Sequence, residues 1–277
     1  MTPRTALALA AALVAVPVAV AGANGGPAVA DDVPPDGPGT AGPPYHYATA
    51  LMGQYSLVPL PDQAMITRTR HGYVYRAGQQ DSHLTITLTA DGLEYADTGT
   101  ERFKRLPRAC RRLEADAGVA AVCRVPAWVG VDQPLLVEVW PRLGDDYVDG
   151  STLPESVAMT VLADAGDDVA LLGAGPDFFN GFTGRDQVWG GGGDDWVRTG
   201  PDADLVWGGD GADQLVGTDG KDTFYGEGGD DRVGGGAGDD RLDGGPGADR
   251  VLCEGGRDTV TTDGADRLRS CESLIPG

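Results

Sequence analysis

Aspartate recurs in this chain at a spacing that has chemical consequences. An Asp stands at every ninth position through Asp168, Asp177, Asp186, Asp195, Asp204, Asp213, Asp222, Asp231, Asp240, Asp249 and Asp258. A carboxylate is a hard oxygen donor, and Ca²⁺ accepts six to eight such oxygens in flexible geometry, whereas Mg²⁺ resists losing its waters. The columns around the Asp indicate what must position it. In rows of nine from Ala163 the fourth column is Gly except where Asp202 stands, and Asp tolerates positive φ. The eighth column is apolar throughout: Ala170, Phe179, Val188, Val197, Val206, Leu215, Phe224, Val233, Leu242, Val251 and Val260.

One row is thus a glycine-rich turn whose carbonyls can point inward, followed by a minimal strand with one side chain in a narrow core. Two rows make a coil with a strand on each side, and coils stack at about 4.8 Å. Stacking sorts the aspartates into two ladders, one holding Asp168, Asp186, Asp204, Asp222, Asp240 and Asp258, the other Asp177, Asp195, Asp213, Asp231 and Asp249. Carboxylates at that spacing repel by roughly 3 to 4 kcal/mol per pair at an effective dielectric near 20. A divalent cation in each gap reverses the sign.

The rows GGGGDDWVR (190 to 198), GGDGADQLV (208 to 216), GEGGDDRVG (226 to 234), GGAGDDRLD (235 to 243) and GGPGADRVL (244 to 252) resemble the nonapeptide repeats of RTX, or hemolysin-type, calcium-binding proteins, G-G-x-G-x-D-x-U-x. The resemblance covers 163 to 261 and implies a right-handed parallel β-roll with Ca²⁺ between successive turns, all eleven aspartates standing in the metal column. ADAGDD, LGAGPD, GFTGRD, TGPDAD and CEGGRD lack expected glycines. The gaps with good loops on both sides are therefore Asp195 with Asp213, Asp213 with Asp231, Asp231 with Asp249, and Asp222 with Asp240. A solvated acidic linker would have no reason to keep the apolar column.

Composition agrees with a fold held by ions. The 277 residues carry a net charge of −21, 41% are apolar and 44 are Gly, which leaves little material for a large core and raises the entropy lost on folding. The acid excess argues against nucleic acid as a partner. Residues 1 to 30 read as a secretory signal, with one Arg, an apolar run from Ala6 to Val16, and small residues suited to cleavage after Ala21, Ala23 or Ala30. No later segment is long and apolar enough for a membrane span. Residues 31 to 69 read as a Pro/Gly-rich linker and a poorly defined segment.

Residues 70 to 162 contain alternating runs such as HLTITLTADGLEY, PLLVEVW and SVAMTVLAD, read as strands. With the Cys pair and LVEVWPRLGDDYV they resemble the irregular β-rich lead-in of secreted calcium-binding proteins. A solenoid continuation and a small separate β-sandwich are the two readings. LGDDYVDG (143 to 150) looks like an isolated half-repeat with Asp146 in the metal column. The roll with its C-terminal cap takes 163 to 277. Four cysteines in an exported chain suggest two disulfides, and four allow three connectivities. Cys110 and Cys123 are near in sequence, while Cys253 and Cys271 lie one coil apart, where stacking brings their Cα atoms within disulfide range.

Catalytic motifs are missing. The histidines are His46, His71 and His83, and there is no H-E-x-x-H, G-x-S-x-G or G-x-x-x-x-G-K. Asp81, Ser82 and His83 are adjacent in sequence, the wrong arrangement for a triad, and read as a surface turn. Trp189, Trp207 and Tyr225 recur at 18 residues in the outward ninth column, either as a stripe that docks a glycan or protein or as a ladder of rings covering one another. The expected function is a secreted, non-catalytic calcium-binding roll. The alternatives are a calcium-dependent adhesin or glycan-binding module and a hydrolase with an unrecognised site.

Overall fold

The computed structural model describes residues 63–78 and 81–276. The segments read as a secretory signal and a linker lie, up to residue 62, outside the described residues. Every regular element among the described residues is a strand, and no described helix is long and apolar enough to cross a membrane. The strands form two long sheets of eleven and twelve members and two small two-stranded ones.

In the repeat region the chain lays one strand in one sheet and the next in the other. Val169–Leu171, Gln187–Gly192, Leu205–Asp210, Thr223–Gly228, Arg241–Asp243 and Thr259–Thr262 stack as parallel neighbours in the twelve-stranded sheet. Phe178–Asn180, Trp196–Arg198, Gln214–Val216, Arg232–Gly234 and Arg250–Leu252 do so in the eleven-stranded sheet. Each residue faces its equivalent one coil on: Val188 pairs with Val206, Val197 with Leu215. The eighth-column side chains fill the space between the sheets, and all of them are buried. The chain is thus a parallel β-solenoid, as the nine-residue period requires.

Turns hold the coils in register. Asp202 adopts φ 88°, consistent with its place in the glycine column. At Gly211, φ is 143° and a methyl group would strike the Gly193 carbonyl one coil back, so stacking leaves no room for a side chain there.

Both sheets run into the lead-in without a break. Tyr147–Asp149 and then His83–Thr89 extend the twelve-stranded sheet in parallel, and Val157–Leu162, Leu135–Trp140 and Gly72–Arg76 extend the other. One apolar cluster passes through both regions, from Ala64 to Val260, so a separate sandwich is not what these residues make. Parallel stacking ends where the chain reverses. Gly92–Asp97, Val119–Cys123 and Cys110–Leu113 close the twelve-stranded sheet as antiparallel neighbours, and Ala64–Arg68 pairs antiparallel with Gly72–Arg76. Turn chemistry at Ala90–Asp91–Gly92 permits the first reversal, with Gly92 at φ 137°.

The cysteines pair as Cys110–Cys123 and Cys253–Cys271. The first joins facing residues of two antiparallel strands. The second spans one coil, with Cα atoms 5.1 Å apart. Asp81, Ser82 and His83 do not form a surface turn. His83 opens a strand paired with Tyr147, and Ser82 is buried beneath it. Three polar residues in a row suggested exposure; their stacking on the Asp145–Asp146–Tyr147 rung buries the middle one.

Candidate metal centre

The aspartates of the repeat form two continuous ladders along the roll. In the first, each backbone N–H donates to Oδ1 of the Asp one coil on: Asp168 to Asp186 at 3.0 Å, Asp186 to Asp204 at 2.9 Å, Asp204 to Asp222 at 3.0 Å, Asp222 to Asp240 at 2.9 Å and Asp240 to Asp258 at 3.0 Å. In the second, Asp177 reaches Asp195, Asp195 reaches Asp213 and Asp213 reaches Asp231 at 2.8 Å each, and Asp231 reaches Asp249 at 2.9 Å. A side chain pointing along the roll axis thus satisfies a backbone donor of the neighbouring coil. All eleven carboxylates are buried.

Only half of each carboxylate is used in this way. Oδ2 of Asp168, Asp186, Asp195, Asp204, Asp213, Asp222, Asp231, Asp240, Asp249 and Asp258 is buried with no hydrogen-bond partner. A buried oxygen anion without a donor is expensive, and native structures avoid it unless something else is bound there. Asp177 differs: its Oδ1 accepts from Met159 N at 2.6 Å and its Oδ2 from Gly173 N at 2.7 Å. The degenerate LGAGPD loop folds back onto its own Asp.

Backbone carbonyls complete the donor set. A methyl group at Gly190 would collide with both Asp195 Oδ2 and the Gly208 carbonyl, and the same pair of oxygens closes on Gly208 (Asp213, Gly226), Gly217 (Asp222, Gly235) and Gly226 (Asp231, Gly244). These are the gaps flanked by complete loops. At Gly181 the same convergence comes from Asp186 Oδ2 and the Thr199 carbonyl. Glycine in the first column therefore keeps open a space that one carboxylate oxygen and one main-chain oxygen share. Among the described residues no group of three or more His, Cys, Asp or Glu side chains comes together. The donors are carboxylate and peptide oxygens without sulfur or imidazole, which suits a hard cation such as Ca²⁺ and not zinc.

Burial pushes these carboxyls up. Asp204, Asp213 and Asp249 rise to about 6, Asp168, Asp222 and Asp231 to about 7, and Asp177 and Asp186 to about 8. Asp195 and Asp240 rise for the same reason, with ladder neighbours adding repulsion. Charge on the metal-free ladder is unfavourable, and a cation removes the penalty.

The ladders extend past the regular repeats at both ends. Asp146, noted in the half-repeat, heads the first ladder: its N–H donates to Asp168 Oδ1 at 2.8 Å, its Oδ2 is buried without partner, and burial lifts its carboxyl to about 9. Asp266 ends the second, accepting from Asp249 N at 3.3 Å. Strict counting by nines misses both, since 22 residues separate Asp146 from Asp168 and 17 separate Asp249 from Asp266. Each is still announced by an apolar residue two positions on, Val148 and Leu268.

Trp189, Trp207 and Tyr225 stack nearly parallel, with centroids 4.6 and 5.9 Å apart. Most of their ring area is therefore turned toward one another along the roll, leaving edges to solvent. Phe178 and Trp196 meet edge to face at 5.2 Å on the opposite sheet.

Comparison with known protein families matches four copies of the RTX calcium-binding nonapeptide repeat, at residues 162–197, 198–233, 207–242 and 225–260. Comparison with curated proteins and with solved structures gives no match.

Proposed function

We propose, for a chain that carries RTX calcium-binding repeats on a β-roll, that its function is to fold around several Ca²⁺ ions outside the cell and that it performs no catalysis. The row of buried, unpartnered Oδ2 atoms carries this reading, and those of Asp186, Asp195, Asp213, Asp222 and Asp231 lie beside a main-chain carbonyl in a gap that a glycine leaves open. The ladder aspartates, Asp168 through Asp258, are the proposed ligands, with Asp195, Asp213, Asp222, Asp231, Asp240 and Asp249 in the best-formed gaps. When bound, the ion neutralises facing carboxylates and ties successive coils together. Export is supported by the N-terminal segment and by the two disulfides. Affinities of about 0.1 to 1 mM per site, usual for extracellular modules, would keep the roll unfolded at cytosolic calcium.

The experiment is metal analysis of the dialysed protein with circular dichroism in calcium and in chelator. Several bound calcium ions per chain and loss of the roll's share of the β signal on chelation are expected; an unchanged spectrum would refute calcium-driven folding. A second reading, a glycan-binding module using Trp189, Trp207 and Tyr225, is less well supported because the rings face one another. Saccharide quenching of tryptophan fluorescence in the calcium-loaded protein would favour it.

A further inference from the structure

The outer face of the eleven-stranded sheet carries charge of the wrong sign for this protein. Its side chains come from the columns flanking the buried eighth, since alternate residues of a strand point to opposite faces. In one column the pairing runs Phe178, Trp196, Gln214, Arg232, Arg250, Arg267; in the other Asn180, Arg198, Val216, Gly234, Leu252, Arg269. Within these repeat strands neither column contains Asp or Glu, although the chain carries 42 acidic residues against 21 basic ones; the first acid along the first column is Glu138, in the lead-in.

The arginines sit in direct register. Arg232 faces Arg250, and Arg250 faces Arg267. Like charges opposite one another in a sheet are unfavourable. Along one turn edge of the roll, by contrast, cations are paired: Arg185 with Asp167 at 2.7 Å, Lys221 with Asp239 at 3.1 Å and Arg257 with Asp239 at 3.4 Å. Among the described residues, no such pair involves Arg198, Arg232, Arg267 or Arg269, and all of these except the half-buried Arg232 are exposed.

We propose that this arginine stripe is a docking surface for a linear acidic polysaccharide. The stripe is narrow and runs along the roll, a shape that matches an extended polymer better than one compact anion. Guanidinium groups hold the carboxylates or sulfates of such a polymer through paired, charge-assisted hydrogen bonds. A nucleic acid is disfavoured, because the face offers no exposed aromatic platform for bases: Phe178 is buried and Trp196 lies edge-on to it. A sparsely charged sugar polymer also meets less repulsion from the acidic body than a dense phosphate chain does. The inference rests on the calcium-loaded roll, which holds the strands in register.

The test is binding of the full chain in saturating calcium and low salt to immobilised hyaluronate, with dextran, single-stranded DNA and anionic phospholipid vesicles as comparisons and circular dichroism on every sample. The wild type should bind hyaluronate in preference to the other three and release it as salt rises. R232Q/R250Q/R267Q should bind at least about tenfold more weakly, and R267Q/R269Q, confined to exposed side chains, should weaken it severalfold. The control R185Q/K221Q/R257Q removes as many positive charges from the turn edge and should change binding by less than about twofold. A folded wild type that ignores hyaluronate, or prefers DNA or vesicles, overturns the docking inference alone, as does equal loss in stripe and control variants. A protein with no calcium-dependent β signal overturns the inference and the calcium reading together.

Discussion

Asp97 in the lead-in and Asp213 in the roll are both about as buried as a side chain can be, and the protein treats them in opposite ways. Around Asp97 every lone pair direction has a donor: Tyr75 Oη at 2.5 Å, Thr100 Oγ1 at 2.7 Å and Ser82 Oγ at 3.0 Å reach Oδ2, while Gly99 N at 2.9 Å and His83 N at 3.1 Å reach Oδ1. Asp213 has one backbone donor on Oδ1 and nothing on Oδ2. The lead-in also surrounds its carboxylate with a conventional core of Tyr73, Tyr75, Leu84, Ile86, Leu93 and Tyr95, whereas each row of the roll adds a single apolar side chain in the eighth column. Burial is therefore handled in two ways here, one complete within the polypeptide and one that leaves a carboxylate oxygen without a partner.

The largest consequence is regional. Removing calcium should release the amides of the roll, such as those of Leu205–Asp210 and Arg232–Gly234, to rapid hydrogen exchange, while those of His83–Thr89, Gly92–Asp97 and Val119–Cys123 stay protected. Loss of protection in both regions at one calcium concentration would erase the distinction and make the chain a single calcium-dependent unit.

Substitutions at the two carboxylates should separate the regions further. Asp97→Ala strands the hydroxyls of Tyr75, Ser82 and Thr100 in the interior and should cost about 2 to 4 kcal/mol, seen in the denaturant midpoint with calcium saturating. Asp213→Asn touches two well-formed gaps and should instead move the calcium midpoint upward. Asp177→Asn should move it less, since both Asp177 oxygens already accept backbone N–H groups. Equal calcium shifts for Asp213→Asn and Asp177→Asn would break the link between an unpartnered oxygen and ion binding.

These two regions also differed in how much their sequence revealed. A nine-residue period writes the stacking, the strand faces and the ladder membership directly into the chain, because each coil meets the same neighbours in the same way. Asp146 and Asp266 escaped the strict count because a longer and a shorter loop precede the adjoining rung. The Asp97 cluster was not legible: besides the local Thr100, its partners Tyr75 and Ser82 are brought to it only by strand pairing at a distance in sequence. Ser82 occupies the metal column of its rung, and its N–H caps the ladder by donating to Asp146 Oδ1 at 2.5 Å. The arginine column was legible in principle, but only once the parallel register of alternate rows was fixed.

Protons should partly imitate calcium. Burial raises the ladder carboxyls of the folded roll from their ordinary value of 3.8 to about 6 at Asp213, about 7 at Asp222 and Asp231, and about 8 at Asp186. For a carboxyl raised on folding, the protonated native state is favoured. This contribution is fully present below the unfolded value and is lost as pH rises through about 6 to 8. Metal-free protein should thus gain roll structure between pH 8 and pH 5, while calcium affinity falls over the same interval as protons compete for the same oxygens. Circular dichroism of the metal-free chain showing no gain in β signal on acidification would contradict the cost assigned to the buried oxygens.

The smallest effect should come from the last coil. The Cys253–Cys271 disulfide lies where a solenoid is weakest, because the final rungs, Arg267–Arg269 and Ser273–Pro276, have a neighbour on one side only. Leu274 and Ile275 are exposed there, and the ladder contact from Asp249 to Asp266 lengthens to 3.3 Å. A cross-link closing a loop of this size restricts the unfolded chain by about 3 kcal/mol in the entropic model, an effect confined to the coil it closes if the roll behaves as a row of neighbouring units. The Cys253→Ser, Cys271→Ser double variant should therefore be cleaved by protease beyond residue 253 while Asp195, Asp213 and Asp231 keep their calcium midpoint. The equivalent change at Cys110 and Cys123 acts on two strands at the far edge of the twelve-stranded sheet, and should leave cleavage of the C-terminal coil unchanged. A shift of the central calcium midpoint in the first variant would mean that the coils unfold together, and the contrast between a self-sufficient lead-in and an ion-dependent roll would then have to be drawn at the level of the whole roll.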